Sequence, residues 1–300
     1  MFFSSRTLRS LPLFHTIARC DVASFVLVNY SLRDNGNRHT KKVPYEVSDV
    51  SIFEPPATCR NGAIIDSLQQ YQTMYSESIH DPESFWGSRS HNLQWSRLPE
   101  QVFVHSAPGE VSWFPGGQIN VAINCVDRHA HRTPDKTAII WAKNTPGEYE
   151  HISFIELRQR VGRMANVLKA HGVRRGDRVC IYLPMVPELA VTMLACARIG
   201  AIHSVVFAGF SAEALRDRVV DAEAKVIVTS NVGLRGDKKI PLKSIVDAAL
   251  DDVHFVRSVL VLRRTEDEYA RIDGRDYDLE QQLRKQRAEC PAEPMASEDP

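Results

Sequence analysis

The stretch Gly233-Leu234-Arg235-Gly236-Asp237-Lys238-Lys239 has the residue types best suited to chemistry. Glycine permits close backbone approach and positive φ. Arg235 offers a two-pronged guanidinium fork, and Lys238 and Lys239 offer point charges, a set that suits a phosphate. Pro241 can open a helix whose amino end attracts an anion. A solvated basic loop is the competing reading of the same residues. Other chemistries are thinly represented. The chain has no GxxxxGK[ST] loop, no GxGxxG and no GxSxG elbow. No pair of carboxylates stands out as an acid/base couple. His129 and His131 sit two apart, the wrong spacing for two ligands on one helix face, so no metal is expected there.

Around this stretch the sequence must supply a frame. Three apolar runs, at 179–183, 203–208 and 225–229, alternate with two helix-like segments. Strand, helix, strand, helix, strand predicts βαβ units and a mostly parallel sheet with flanking helices, an α/β fold. VCIYL, SVVFA and VIVT are apolar on both faces, as buried parallel strands are. A loop leaving the carboxyl end of such a strand is where open α/β sheets place ligands. Ser211 is a candidate cap for one helix, and Pro187 with Glu188 for another. Ser153 and Glu156 form a capping box that opens a helix to His171, closed by Gly172. Strands are predicted at 137–142 and 149–152, with a further one at 255–262. Helices are predicted at 64–78, from about Asn120, at 245–250 and at 279–288. Residues 61–118 read as a helical or irregular extension and 119–300 as the α/β region.

The composition narrows the classes. The 300 residues carry 37 Lys+Arg against 37 Asp+Glu, so the formal charge is zero, which argues against general nucleic-acid binding. The aromatics Phe85, Trp86, Trp95, Trp113 and Phe114 therefore read as packing rather than as a base-stacking platform. No apolar run approaches the roughly 18 residues of a spanning helix, so no membrane insertion is expected. The six cysteines form no CxxC pair, and Cys180 and Cys196 lie in apolar runs, which favours a reducing compartment. Residues 1–20 hold Arg6, Arg9 and Arg19, several hydroxyl residues and no acid. That composition favours a mitochondrial transit segment, hence the matrix, over a tail of chance composition, with the cytoplasm as the alternative. Residues 21–60 suggest no function.

Four blocks resemble the acetyl-CoA synthetases, the AMP-forming acetate–CoA ligases of the adenylate-forming superfamily. They are IIDSLQQYQTMYSESIHDPESFWG at 64–87, WFPGGQINVAINCVDRH at 113–129, the run 179–221 and GLRGDKKIPLKSIVD at 233–247. PMASEDP at the end resembles the stretch before that family's ATP-phosphate loop. The resemblance implies an amino-terminal portion of the adenylate-forming fold. It implies a reaction in which acetate attacks ATP to give acetyl-AMP and pyrophosphate, with Mg²⁺ assisting, and CoA then displaces AMP. It places no catalytic residue in this chain, since the ATP loop, acetate pocket, Mg²⁺ ligands and catalytic lysine lie downstream. Arg235, Gly236, Asp237 and Lys238 match the CoA-binding segment, whose cations hold the 3′-phosphate. Phe207, Ala208 and Gly209 match residues near the CoA adenine. Two positions depart from the pattern. Lys238 stands where arginine is usual and Asp237 where a small residue is usual, which implies weaker CoA binding, with Lys239 able to compensate. A ligase for another short acid such as propionate, and a non-catalytic CoA-binding or interaction module, are the alternatives.

Overall fold

A computed structural model describes residues 56–300. The segment 1–20 read as a transit peptide, and most of the unassigned 21–60, lie outside the described residues. The chain divides into two compact units, 1–66 and 67–300. The described part of the first contains one helical turn, α1 (Ala57–Arg60).

The second unit opens with α2 (Leu68–His80) and α3 (Pro82–Ser90). Ser67 and Asp81 cap them, accepting from the amides of Gln70 and Ser84. The apolar spacing from Ile64 predicts a helix from that residue. The helix begins instead at Leu68, where Ser67 supplies the cap. Leu68, Tyr71, Tyr75 and Ile79 on it are exposed, so the periodicity marks a helix here without marking a buried face. β1 (Trp95–Arg97) and β4 (Gln118–Ile119) pair antiparallel, and β2 (Phe103–Ala107) and β3 (Glu110–Trp113) form a hairpin between them. The helix expected from Asn120 is a π-helical turn at Ile123–Asp127 running into α4 (Arg128–Arg132). Helical backbone begins at Val121 and Asn120 caps it, accepting from the Ala122 amide at 2.8 Å. Its side-chain amide donates to the carbonyls of Ala197 and Glu293 at 2.9 and 2.8 Å.

β5 (Thr137–Ala142) and β6 (Tyr149–Ser153) form a second hairpin, as the sequence predicts. The capping box that starts α5 (Phe154–Ala170) is complete. The Glu156 amide donates to Ser153 Oγ at 3.3 Å, and the Ser153 amide donates to Glu156 Oε2 at 2.8 Å. Gly172 ends the helix at φ +83°, a left-handed conformation open to glycine.

The central sheet has five parallel strands: β7 (Arg178–Tyr182), β8 (Ile202–Val205), β9 (Val226–Ser230), β12 (Ser258–Leu262) and β13 (Asp276–Asp278). Between β9 and β12 come two short strands, β10 (Gly233–Arg235) and β11 (Lys238–Ile240). α6 (Pro187–Arg198) joins β7 to β8, α7 (Ala212–Asp221) joins β8 to β9, and α8 (Leu242–Ala249) precedes β12. α9 (Leu279–Arg284) follows β13, and β14 (Met295–Ala296) returns to pair with β4. The predicted helices at 245–250 and 279–288 thus run over Leu242–Ala249 and Leu279–Arg284.

The spatial order is β13-β12-β9-β7-β8. The chain steps outward from β7 to the edge strand β8, then crosses back to β9 and runs the other way. That reversal makes the gap between β7 and β9 the topological switch point, the place where open α/β sheets bind ligands. Side chains alternate across the sheet with period two. Val179, Ile181, Val226, Val228 and Leu260 join the core under α5, α6 and α9. Cys180, Tyr182, Ile227, Val259 and Val261 join the core under α7 and α8. Burying each such aliphatic side chain stabilises by roughly 1.5–3 kcal/mol, and this is what fixes the register.

Candidate anion site at the switch point

The stretch expected to be an irregular glycine loop is a two-stranded hairpin. β10 and β11 pair antiparallel with Gly233 opposite Ile240, Leu234 opposite Lys239 and Arg235 opposite Lys238. Gly236 and Asp237 form the two-residue turn. Gly236 has φ +57°, and a glycine at the first central position is what such a tight turn demands. Gly233 has a different role from the one the sequence suggests. It is buried, and a Cβ there would approach Leu242 Cδ1 to 3.1 Å. Its smallness serves packing against α8, not access for a ligand.

Pairing sorts the cations by face. Arg235 and Lys238 lie opposite one another and share one face, while Lys239 alternates to the other. Lys239 Nζ donates to both oxygens of Asp267, at 2.8 and 2.7 Å, and Thr265 Oγ1 donates to the same carboxylate at 2.8 Å. Those hydrogen bonds, from Lys239 first and then Thr265, hold the Asp267 carboxyl below the usual carboxylate range. Lys239 is therefore paired with Asp267 on the face opposite Lys238. Arg235, Asp237 and Lys238 are exposed, and among the described residues their side chains make no hydrogen bond or ion pair. Like charges directly opposite on a hairpin repel, by about 0.2–1 kcal/mol. An anion between them would reverse the sign of that contact.

Two residues that the sequence does not single out fix the segments on either side of this hairpin. The buried Asn231, at its base, accepts from the amides of Val232 and Arg264, both at 2.9 Å. Its amide nitrogen donates to the carbonyls of Thr265 and Asp267 at 2.8 and 3.0 Å. It thereby laces the segment 264–267 to the hairpin's foot. Lys243, at the start of α8, is wholly buried and donates to Asp247 at 2.7 and 2.8 Å and to the carbonyl of Ala270 at 3.0 Å. Its ammonium also meets Asp276 Oδ2 at 2.7 Å, and Arg275 reaches both carboxylates. Burial would raise the Asp276 carboxyl, but hydrogen bonds from Arg275 and Lys243 outweigh it and hold the group low. The Lys243/Asp247 spacing of four was readable as a helix pair. Asp276 was not, because only the pairing of β12 with β13 brings it near.

Phe207, Ala208 and Gly209 leave the carboxyl end of β8. Phe207 is exposed and packs edge-on to Phe210 at 5.9 Å between ring centroids. Arg218 stacks its guanidinium 4.9 Å from the Phe210 centroid. The Tyr182 hydroxyl donates to the Phe210 carbonyl at 2.8 Å, and burial pushes that phenol up. Ser211 then caps α7, accepting from the Ala214 amide at 3.3 Å. The loop after β8 and the hairpin after β9 therefore emerge from the carboxyl end of the sheet, on either side of β7. Both border the same core, Ala208 and Ile240 packing onto it. The two sequence-selected segments are brought to one end of the fold.

Cys180 and Cys196 are buried, and burial pushes both thiols up to about 12, so they are inert. Among the described residues no group of three or more His, Cys, Asp or Glu is placed to hold a metal ion. Among the same residues no helix is long and apolar enough to cross a membrane.

The flavodoxin-like strand order, with a cation-bearing hairpin leaving the sheet beside its switch point, defines a doubly wound α/β protein. Comparison with known proteins is narrower. Residues 126–300 match the family model described as AMP-binding enzyme, and residues 71–125 match the model of the acetyl-coenzyme A synthetase N-terminus. The chain belongs to the AMP-binding enzyme family. It is 49% identical over 256 residues to an acetyl-coenzyme A synthetase of Halorhodospira halophila, covering 85% of this chain and 40% of that one. It is 51% identical over 240 residues to the acetyl-coenzyme A synthetase of Phycomyces blakesleeanus, covering 79% and 36%. Among solved structures, acetoacetyl-CoA synthetase from Streptomyces lividans superposes with a TM-score of 0.71 at 28% identity, covering 77% of this chain and 35% of that one. The chain thus spans about 40% of the length of the curated relatives it matches.

Proposed function

We propose that this chain is the amino-terminal part of an AMP-forming acetate–CoA ligase and contributes the CoA-phosphate contact. The whole enzyme would convert ATP, acetate and CoA into AMP, pyrophosphate and acetyl-CoA through acetyl-AMP, with Mg²⁺ on the phosphates. The observation that carries the reading is the uncompensated Arg235/Lys238 pair at the switch point of a chain about half identical to acetyl-CoA synthetases. In this reading Arg235 and Lys238 meet the 3′-phosphate, the Gly236-Asp237 turn sets their spacing, and Phe207, Ala208 and Gly209 lie beside the adenine. Acid choice, acetate or propionate, belongs to residues outside the matched stretch. A second reading, a CoA-binding module without ligase activity, is favoured by the completeness of the hairpin and its supports within the described residues. The arginine-bearing, acid-free residues 1–20 support a mitochondrial matrix location over the cytoplasm, which fractionation of cells expressing the chain tests.

Calorimetric titration of the 300-residue chain with CoA tests the site. Arg235→Ala removes a charge-assisted contact of about 1.5–3 kcal/mol and should weaken binding about ten- to a hundred-fold. Lys239→Ala, on the opposite face, should leave it unchanged. Equal affinity in the wild type and Arg235→Ala would move the site elsewhere. The chain by itself should show no acetate-dependent ATP–pyrophosphate exchange, and exchange above background would contradict the placement of the adenylating groups outside it.

A further inference from the structure

The turn that aligns Arg235 and Lys238 carries a carboxylate at its tip, and neither cation neutralises it. Asp237 is exposed and, among the described residues, makes no hydrogen bond or ion pair, although a cation stands on either side of it in the chain. Lys239, the next lysine after Lys238, takes its carboxylate partner from Asp267 on the other face. The hairpin end therefore presents two positive charges and one negative charge, all solvated and all within a few residues of one tight turn. The spacing is not adjustable, because the turn permits only two residues between Arg235 and Lys238. Asp237 stands between those two cations in the chain, so a phosphate held by both also meets the field of its carboxylate.

We propose that Asp237 is a specificity-determining residue that blunts the hairpin's preference for a phosphate dianion over the same ligand without that phosphate. This rests on the reading of the hairpin as the contact for the 3′-phosphate of CoA. The physical content is Coulombic. A dianion gains from Arg235 and Lys238 and loses part of that gain to Asp237, whereas a ligand lacking the phosphate feels neither. Solvent damps each contribution similarly, since all three groups are exposed. At a separation of about 6–8 Å in a solvated setting, one carboxylate opposes a dianion enough to reduce affinity about three- to ten-fold. The chain so equipped accepts CoA and 3′-dephospho-CoA with affinities closer than the two cations alone would give.

The test is calorimetric titration of the full 300-residue chain with CoA and, separately, with 3′-dephospho-CoA, for the wild type, Asp237→Asn and Arg235→Ala. Asparagine keeps the shape and suits the turn, and circular dichroism confirms that each variant is folded. In Asp237→Asn the affinity ratio of CoA to 3′-dephospho-CoA should rise about three- to ten-fold, through tighter CoA binding alone. The increase should shrink in high salt. In Arg235→Ala the ratio should fall towards one. A ratio unchanged in Asp237→Asn while Arg235→Ala lowers it overturns the inference and leaves the hairpin reading standing. A ratio indifferent to both substitutions, or no binding of either nucleotide at millimolar concentration, overturns the hairpin reading and the inference with it.

Discussion

Replacing Lys243 with methionine isolates the ion cluster beneath the hairpin. In the wild type two cations, Lys243 and Arg275, face two carboxylates, Asp247 and Asp276, so the cluster is neutral. The side chains of Lys243 and Asp276 are each only 1% exposed, while Asp247 keeps 26%. Methionine fills nearly the same volume, so little cavity energy enters. What changes is charge, since one net negative charge remains inside. Breaking a buried pair in this way destabilises by about 3–5 kcal/mol. Arg275 still reaches both carboxylates and Asp247 can turn towards water, which puts the expectation near the lower end, about 3 kcal/mol. For a unit of this size that lowers Tm by about 6–12 °C. Urea denaturation followed by circular dichroism should show a lower midpoint with an unchanged slope. Lys243→Met/Asp276→Asn restores neutrality and should recover at least half of the loss. A single variant within about 1 kcal/mol of the wild type, or a double variant no more stable than the single, would refute the reading of this cluster as a charge-balanced unit.

Two further expectations concern stability. Gly162 lies on α5 where an added Cβ would collide with the Ala288 carbonyl, so Gly162→Ala should destabilise by about 1–3 kcal/mol or more, read as a lower urea midpoint. An unchanged midpoint would mean that the 285–290 segment yields. His171 is half-buried, accepts from or donates to Ser258 Oγ at 2.9 Å, and packs edge-on against Tyr277. Burial lowers its pKa, with Lys285 adding to the effect and a Gln282 hydrogen bond opposing it, and burial lowers His203 likewise. In each case the folded value lies below the unfolded value of about 6.5, so the unfolded chain takes up the proton first as pH falls. The stabilising contribution is whole above about pH 6.5 and is lost as pH falls through the folded value. The urea midpoint should therefore drop between pH 7.5 and 5.5, and His171→Asn should flatten that drop. An equally steep drop in the variant would assign the dependence to other groups.

Much of the frame was legible in the chain itself. The doubly apolar runs VCIYL and VIVT became β7 and β9, buried on both faces, because parallel strands covered by helices leave no polar side. Ser153, Ser211 and Pro187 announced helix starts by local chemistry that acts within four residues. The four family blocks carry the resemblance to acetyl-CoA synthetases in the sequence itself, and the matching family models span residues 71–300. The apolar spacing at 64–78 marked the α2 helix but says nothing of burial, since periodicity reports which residues share a face and not whether anything covers it.

What the sequence determined was a set of residues with suitable charge, Arg235 and Lys238 beside a glycine turn, on an α/β frame. Tertiary structure decided which of them act together. Strand alternation put Lys239 on the far face and Asp267 took it. The crossover from β8 to β9 put the hairpin at the switch point. The pairing of β12 with β13 delivered Asp276 to a lysine thirty-three positions away in the chain. Local sequence encodes propensities that act over a turn of backbone. Charge partnership depends on contacts between residues distant in the chain, and those exist only once the sheet has set its order.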